Sequence, residues 1–396
     1  MRKTLAIAVM GALGLTLAAC GSTSNVAGAG STAGQPSATQ SAIGSDQICS
    51  SASGAKPGYT NSIAEIPGGK TSLSGAGSTF VAPMMSVWTK DYSTSKGVQV
   101  AYQSIGSGGG VKQISGLTVD FGVSDTPMSD TEMSAAQGGS LLHIPLVLGA
   151  VVPTYKVSGQ QSGLKFTGEV LGKIYAGQIT KWNDPALASL NPNAKLPDEA
   201  IAVVHRSDGS GTTGIWTDYL TKASTSWVTV LGGKDKSSGK EVAWPVGIGG
   251  KGNEGVSGLV GQTEGSIGYV ELSYALAQSL PYGLVQNQAG KFIQPCIATV
   301  AAATVGVTYP ADLRTSLTNE PGKDAYPITG TTYALVYVNQ KDKATAATLV
   351  NFLSWVLSSG QDEAAPIYYA PLGQDLHDLA VAQLKKITVG GAPLAQ

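Results

Sequence analysis

The residues best suited to chemistry lie in the stretch HRSDGSGTTG, residues 205–214, where one arginine and one aspartate precede a run of small residues. The apolar run Ala200–Val204 comes directly before and predicts a buried strand, and a helix-like segment follows. The start of a helix leaves backbone N–H groups free, and these carry partial positive charge. With the guanidinium of Arg206 added, such a junction can bind a tetrahedral oxyanion.

Three earlier loops share this composition and also follow strand-like runs. They are Gly75–Phe80, Gly106–Gly110, and the pair Ser124 and Asp125. Glycine lets the backbone approach a ligand closely, and serine and threonine hydroxyls donate hydrogen bonds. One such loop alone is ordinary turn chemistry. Four of them at strand ends, together with one arginine, favour a single local anion site.

Other chemistries fit the sequence less well. GSGGGVK lacks the phosphate-loop pattern because Val111, and not glycine, precedes Lys112. The nucleophile pattern GxSxG is absent, as are HExxH and CxxC. The three histidines, His143, His205 and His377, fit packing or surface roles better than catalysis. We therefore expect no cofactor, no metal and no enzymatic activity.

Composition and patterning indicate a globular α/β chain. Of 396 residues, 42% are hydrophobic and 13% charged, with a formal net charge of −1 and no basic stripe, so nucleic acid is not an expected partner. Strand-like runs alternate with helical patterns, which predicts largely parallel sheets divided into two parts. The clearest helical segments are APMMSVWTKDY, ATAATLVNFLSWVLSS and DLHDLAVAQLKK.

The N-terminal residues predict export. Arg2 and Lys3 precede the apolar run Leu5–Ala19, which is too short to span a bilayer comfortably and reads as a signal peptide over residues 1–19. The run ends in LAAC, which resembles a bacterial lipobox with Cys20 as the lipidated residue. An ordinary signal peptide with a chance cysteine is the alternative.

Residues 20–69 are predicted to form the lipidated cysteine and a flexible tether. Residues 21–45 carry no charge and no large apolar cluster, so they cannot bury enough surface to offset the entropy of ordering. Cys49 and Cys296 remain after lipidation of Cys20. In an oxidising compartment they can form a disulfide, and two separate thiols are the alternative.

Several ordered motifs resemble those of one transport family. They are GAGSTFVAPMMSVW, YQSIGSGGGVKQI, VDFGVSDTPMSD, IYAGQITKWNDPAL, IAVVHRSDGSGTT, VGIGGKGNEGVSGLV and GSIGYVE. By these motifs the chain resembles the PstS family, the phosphate-binding lipoproteins of the Pst-type phosphate ABC transporter. The resemblance covers nearly all of residues 72–396.

The resemblance implies an α/β, two-lobed fold of the periplasmic-binding-protein type (type II), with the ligand in the cleft between the lobes. Two hinge crossovers are expected near Leu146–Tyr155 and Ile328–Val338. Lobe I would then combine residues 70–152 with 331–396, and lobe II would contain residues 153–330.

The resemblance also implies the phosphate contacts. Asp125 would accept a hydrogen bond from a protonated oxygen of phosphate, which sulfate lacks, and so set specificity. Asp208 would hold the Arg206 guanidinium, or else cap a helix. Phe80 would contribute its backbone N–H. The complete implied contact set is Thr79, Phe80, Ser107, Asp125, Arg206, Ser210, Gly211 and Thr212.

The implied function is capture of inorganic phosphate outside the cytoplasm. A monomer, held to the outer face of the membrane by its lipid anchor, would deliver phosphate to the importer's permease subunits, which a cytoplasmic ATPase drives. Two alternatives from other classes remain open at this level: an extracellular phosphohydrolase, and an adhesin or sensor built on the same fold.

Overall fold

A computed structural model describes Cys49 and residues 56–395. The predicted signal peptide and Cys20 lie outside the described residues, as does the predicted tether up to residue 55, apart from Cys49. Within the described part, no helix is both long enough and apolar enough to cross a membrane.

The α-helices of the described part are numbered in chain order. They are α1 Ala82–Lys96, α2 Ser107–Ser115, α3 Asp130–Ser134, α4 Gly168–Tyr175, α5 Pro185–Leu190, α6 Gly211–Ala223, α7 Thr225–Leu231, α8 Lys234–Ser237, α9 Gly252–Gln262, α10 Leu272–Ala277, α11 Ile297–Ala302, α12 Lys343–Val356 and α13 Gln374–Leu384. Two short 3₁₀ helices, Ser359–Glu363 and Ala365–Ile367, lie between α12 and α13.

The strands are numbered in the same way. They are β1 Ser72–Gly77, β2 Gln99–Ser104, β3 Phe121–Ser124, β4 Leu141–Lys156, β5 Lys165–Phe166, β6 Ala202–Arg206, β7 Ile248–Gly250, β8 Ser266–Glu271, β9 Leu284–Gln286, β10 Phe292–Ile293, β11 Leu317–Thr318, β12 Ile328–Tyr337, β13 Asn339–Gln340, β14 Thr388–Val389 and β15 Ala392–Pro393.

Local sequence accounts for the elements that were predicted best. In α1, Met84, Trp88 and Tyr92 recur every four residues and are all buried, so they form one apolar face. On this face Tyr92 packs against Phe352 and Trp355 of α12. Helix α1 ends at Gly97, whose backbone adopts the left-handed conformation that favours glycine. The predicted late helices are confirmed as α12 and α13.

Within residues 56–395 the main sheet has nine strands. Eight follow the order β2-β1-β3-β12-β4-β8-β6-β7, and β11 pairs with β12. Strands β1, β2 and β3 pair in parallel on one side, and β6, β7 and β8 do so on the other. Between them, β12 and β4 pair antiparallel. The prediction of largely parallel sheets is therefore wrong at the centre, because β4 and β12 run past each other where the two parallel groups meet.

The predicted hinge crossovers fall on these central strands. The segment Leu146–Tyr155 lies inside β4, and Ile328–Val338 spans β12 and one residue beyond it. All but the last of the sixteen residues of β4 are buried, and all ten of β12. The division into lobes at these strands stays a prediction.

Residues 56–69 of the predicted tether lie against the folded part. Tyr59 donates a hydrogen bond to the Leu372 carbonyl at 2.7 Å, and its ring stacks on His377. The Asn351 side chain bonds both the N–H and the C=O of Ile66. These contacts correct the expected boundary, because the packed chain begins well before residue 70.

Cys49 and Cys296 form a disulfide in the structure, with Cα atoms 5.8 Å apart. Cys296 directly precedes α11, in the part of the chain predicted to be lobe II. Residues 59 and 66, by contrast, contact residues predicted to belong to lobe I.

Candidate functional site

The four predicted loops lie at the carboxyl ends of β1, β2, β3 and β6 and meet in one buried region. The Oγ of Ser107, at the start of α2, lies 3.1 Å from Oδ2 of Asp125 after β3. Gly211 lies directly against both groups. The N–H of Gly108 donates to the carbonyl of Gly209 at 2.8 Å, which joins the second and fourth loops. The eight residues implied as phosphate contacts are all buried.

Glycine is required at two of these positions. A Cβ on Gly211 would lie 2.5 Å from both Asp125 Oδ2 and Ser107 Oγ, which is closer than real side-chain contacts allow. Gly106 has a φ of +85°, and a Cβ there would collide with the carboxylate of Asp208. Both glycines let two backbone segments approach each other across the site.

Arg206 supplies a full positive charge and is held by Asp208. Its Nε and Nη2 donate to the two carboxylate oxygens at 2.9 and 2.6 Å, and its side chain is only 1% exposed. The N–H of Gly252, the first residue of α9, donates to Asp208 Oδ1 at 3.0 Å. Burial favours a higher pKa for Asp208, but the hydrogen bonds and charge of Arg206 lower it below its ordinary value. Asp208 therefore stays ionised and fixes the guanidinium plane.

Asp208 was predicted either to hold Arg206 or to cap the following helix, and the cap of α6 is a different residue. Ser210 is the N-cap of α6, because its Oγ accepts from the N–H of Thr213 at 3.0 Å. Asp208 lies two residues earlier and bonds Arg206 instead. The N-terminus of α6 thus points Ser210, Gly211 and Thr212 at the site, with the arginine beside them.

Asp125 is the single carboxylate among the implied contacts, and three hydroxyls surround it. Ser78 and Ser107 donate to Oδ2 at 2.6 and 3.1 Å, and Thr332 donates to Oδ1 at 2.8 Å. Burial raises the pKa of Asp125 to about 6, while the three hydrogen bonds and the charge of Arg206 limit the rise. At neutral pH the group is mostly ionised and can accept a hydrogen bond.

Asn253 is a polar residue of the site that the sequence reasoning missed. It lies at the start of α9 and is fully buried. Its side-chain amide nitrogen lies 2.8 Å from Thr79 Oγ1 and 3.1 Å from Thr212 Oγ1. The motif GGKGNEG, glycine-rich and followed by a helix, resembled the four chosen loops and was a usable signal.

Buried aromatic residues pack behind the loops that form the site. The hydroxyl of Tyr369 donates to the carbonyl of Phe80 at 2.5 Å. The hydroxyl of Tyr269 accepts from the Arg206 backbone N–H at 3.2 Å and pairs with Thr213 Oγ1 at 2.6 Å. Trp216 stacks on Tyr269 with ring centroids 5.0 Å apart. This packing holds the backbone of the first and fourth loops in place.

The three histidines lie outside this contact set. His143 accepts from the Met128 N–H, and burial lowers its pKa to about 4, so it is neutral. His205 stacks on Trp244, and His377 stacks on Tyr59. Each histidine contacts a neighbouring residue, as expected for packing or surface roles, and the absence of a catalytic role stays a prediction.

A cavity of about 730 Å³ adjoins the site, and Asp125 forms part of its wall. Lys240 and Arg314 line it, and both are ion-paired: Lys240 with Glu132 at 2.9 Å, and Arg314 with Asp130 at 2.7 Å. These two pairs, called the rim pairs below, join α3 to chain segments more than 100 residues away.

Comparison with known proteins identifies the family of the chain. The family described as "PBP superfamily domain" matches residues 62–359. Phosphate-binding protein PstS of Xylella fastidiosa is 43% identical over 307 residues, covering 77% of this chain and 82% of the relative. Phosphate-binding protein PstS3 of Mycobacterium bovis is 34% identical over 378 residues, covering 93% of this chain and 94% of the relative.

A solved structure has the same fold. The high affinity periplasmic phosphate-binding protein PfluDING, bound with phosphate, aligns with a TM-score of 0.63 at 19% identity, over 81% of this chain and 96% of its own. The fold and the matching family define a periplasmic binding protein, a class that binds a solute between two α/β lobes. Within that class, the chain belongs to the PstS family of phosphate-binding proteins.

Proposed function

We propose that this protein captures inorganic phosphate outside the cytoplasm and delivers it to a membrane ABC importer. The observation that carries the proposal is the buried set of hydrogen-bond donors around one acceptor, Asp125. Helix starts, hydroxyls and one guanidinium suit an oxyanion, and a lone carboxylate among them suits an oxyanion that carries a proton. The named relatives are phosphate-binding proteins, which supports the same ligand.

In the proposed complex, the contacts divide into two kinds. Arg206 and the N-terminus of α6 neutralise the phosphate charge. The backbone N–H of Phe80 and the hydroxyl of Thr79 bind its unprotonated oxygens, and Ser210, Gly211 and Thr212 do so from the other side. The Ser107 hydroxyl, which donates to Asp125 in this structure, would turn its single hydrogen to phosphate on binding. The Asp208 carboxylate keeps Arg206 in one orientation, so that the site is arranged before phosphate arrives.

Asp125 provides the selectivity. Phosphate at neutral pH retains a proton that can be donated to the Asp125 carboxylate. Sulfate has no proton there, so its oxygen would face the carboxylate oxygen with no hydrogen between them. The repulsion disfavours sulfate by the general rule that a buried polar group must be paired.

The two predicted lobes would close around phosphate. Lobe I, residues 56–152 with 331–396, contributes Thr79, Phe80, Ser107 and Asp125, and lobe II, residues 153–330, contributes Arg206 to Thr212. Since phosphate touches both, it stabilises the closed arrangement over an open one. The closed monomer would then dock on the permease subunits, with lipidated Cys20 keeping it near the membrane.

We also propose that the protein is not an enzyme. A phosphohydrolase needs a nucleophile activated by a base, and the three histidines pack elsewhere. The hydroxyls of Ser78 and Ser107 donate to Asp125 Oδ2 and Thr332 donates to Oδ1, so the one acceptor position left on the carboxylate is the one proposed to take the phosphate hydrogen. The arrangement suits binding without turnover.

Calorimetric titration of residues 21–396 tests the proposed function. The protein is first unfolded and refolded to remove any phosphate that co-purifies, and folding is verified by circular dichroism. We expect tight one-to-one binding of phosphate and no heat with sulfate at the same concentrations. Folded protein that binds no phosphate would overturn the proposal. Release of phosphate from a chromogenic ester by the protein would instead support the alternative function, an extracellular phosphohydrolase.

A further inference from the structure

Asn253 has an unusual set of hydrogen bonds for a residue outside the implied contact set. Its Nδ2 donates to Thr79 Oγ1 and Thr212 Oγ1, and its backbone N–H donates to Thr79 Oγ1 at 3.1 Å. Its Oδ1 accepts from the Glu271 backbone N–H at 2.9 Å. That last bond fixes the amide orientation, because a flipped amide would place its NH₂ group against the N–H of Glu271.

The two threonine hydroxyls are saturated as acceptors. A hydroxyl has two lone pairs and one hydrogen. Thr79 Oγ1 accepts from both the backbone N–H and the Nδ2 of Asn253. Thr212 Oγ1 accepts from Asn253 Nδ2 and from Arg206 Nη1 at 3.4 Å. Only the O–H hydrogen of each threonine is left to bind anything else.

From this count we infer that Asn253 is a positioning residue, which turns the hydroxyls of Thr79 and Thr212 into obligate donors aimed at the ligand. The inference rests on the proposed phosphate function. A threonine hydroxyl in an ordinary pocket can rotate and present a lone pair, which repels an anion. With Asn253 in place, that rotation would break a buried hydrogen bond, so the donor orientation is set in advance.

The same amide spans the two sides of the site. Thr79 follows β1 in the predicted lobe I, whereas Thr212 and Asn253 belong to the predicted lobe II. The bonds from Asn253 to Thr79 can therefore form only when the two sides are together. The Thr79 hydroxyl gains its orientation as the site closes, so Asn253 links closure to the alignment of a ligand donor.

A double-mutant cycle tests the inference. Phosphate dissociation constants are measured by equilibrium dialysis with radiolabelled phosphate for the refolded wild type, Asn253→Ala, Thr79→Val/Thr212→Val, and the triple variant. We expect Asn253→Ala to weaken binding about 10- to 100-fold in the wild-type background, the range for one or two buried hydrogen bonds to a charged group. In the valine background the same substitution should change affinity by no more than about threefold, because no hydroxyl remains to orient.

Asn191→Ala is the matched control. Asn191 is also buried, but its amide bonds only backbone groups of Lys165 and Leu187. This substitution should lower stability without changing phosphate affinity. An equal loss of affinity from Asn253→Ala in both backgrounds would overturn the inference, as would no loss in either. Wild-type protein that fails to bind phosphate would overturn the proposed function instead.

If Asn253→Ala fails to fold, Asn253→Asp keeps the shape of the side chain and replaces its hydrogen-bond-donating NH₂ group by an acceptor oxygen. A carboxylate oxygen there would attract the threonine hydrogens away from the ligand and would also add a negative charge. The charge effect remains in the valine background, but the orientation effect does not. A larger loss in the threonine background than in the valine background supports the inference, and equal losses contradict it.

Discussion

Two buried carboxyl groups, Asp125 and Glu271, interact through their charges and differ in their hydrogen bonding. Asp125 accepts hydroxyl hydrogens on both oxygens, and burial raises its pKa only to about 6. Glu271 is fully buried and bonded through Oε2 alone, while Oε1 has no partner among the described residues. Burial raises its pKa to about 8, and the nearby charge of Asp125 contributes.

The hydroxyl of Tyr369 gives independent support for a protonated Glu271. This hydroxyl has one hydrogen and contacts three oxygens, the Phe80 carbonyl at 2.5 Å, Glu271 Oε2 at 2.9 Å and Ser273 Oγ at 3.3 Å. A carbonyl can only accept, so it takes the tyrosine hydrogen. The Glu271 contact is then a hydrogen bond only if the carboxyl group donates, which requires the neutral acid.

The comparison shows how one region can hold a carboxylate and a carboxylic acid close together. The group that faces the proposed anion is ionised because hydroxyl donors replace lost water. The group behind it stays neutral, so it adds no second negative charge to repel phosphate. Both residues are almost completely buried, so burial does not separate them. The donors of Asp125 reach both of its oxygens and the charge of Arg206 favours its ionised form, whereas the donors near Glu271 all lie at Oε2 and the charge of Asp125 disfavours its ionised form.

Asp125→Asn should have the largest effect on anion selectivity, because it replaces the ionised carboxylate at position 125 by a neutral group, as Glu271 is neutral. We expect the ratio of sulfate to phosphate affinity to rise about 100-fold, the order set by one unpaired buried charge. Parallel calorimetric titrations with both anions measure this ratio. Glu271→Gln is the matched control and should leave the ratio unchanged. A constant ratio in Asp125→Asn would mean that the carboxylate does not set selectivity.

Glu271→Gln should change how stability depends on pH. In the folded wild type the pKa of about 8 lies above the ordinary value of 4.5, so Glu271 contributes fully below pH 4.5. As pH rises from 4.5 to 8, the folded state holds a proton that the unfolded state has lost. The free energy of unfolding therefore falls by roughly 1.4 kcal/mol per pH unit from this group.

Glutamine cannot titrate, so the variant should lack this contribution and gain stability relative to the wild type as pH rises. Urea unfolding at pH 5 and pH 7.5, without phosphate, measures the difference. If the free energy of unfolding changes equally between pH 5 and pH 7.5 in the two proteins, Glu271 is ionised in the folded wild type. The phosphate affinity of the variant at pH 7 should remain within about threefold of the wild type.

A third carboxyl, Glu132, belongs to the rim pair with Lys240, and removing this pair should have the smallest effect on phosphate affinity. Its contacts with Lys240 and Ser129 outweigh partial burial and lower its pKa. Removing this rim pair by Lys240→Met should weaken phosphate binding about two- to fivefold, as expected for a partly exposed ion pair. Added salt should narrow the difference between variant and wild type.

Lys181→Met is the control, because it removes the same charge from an exposed pair with Asp198. This variant should bind phosphate as the wild type does. If both lysine variants lose affinity equally, the loss reflects net charge and not the rim pair.

The sequence located much of the site because its main parts are local. Arg206, Asp208 and the cap of α6 lie within one short stretch, where strand end and helix start are visible as patterns. Thr332 could not be found in this way, since it reaches Asp125 from a strand 207 residues away. Glu271 was missed for the same reason: its neutral state depends on Tyr369 and Phe80, which only the fold brings together.

With the proposed lipid anchor at Cys20, the disulfide would have a mechanical consequence. Tension applied to the chain before Cys49 passes through the bond to Cys296 and into α11, not along residues 56–69. The contacts of Tyr59 and Ile66 with the folded part therefore carry no load while the bond is intact. Reduction would transfer the whole force to that segment, which would then peel from its end.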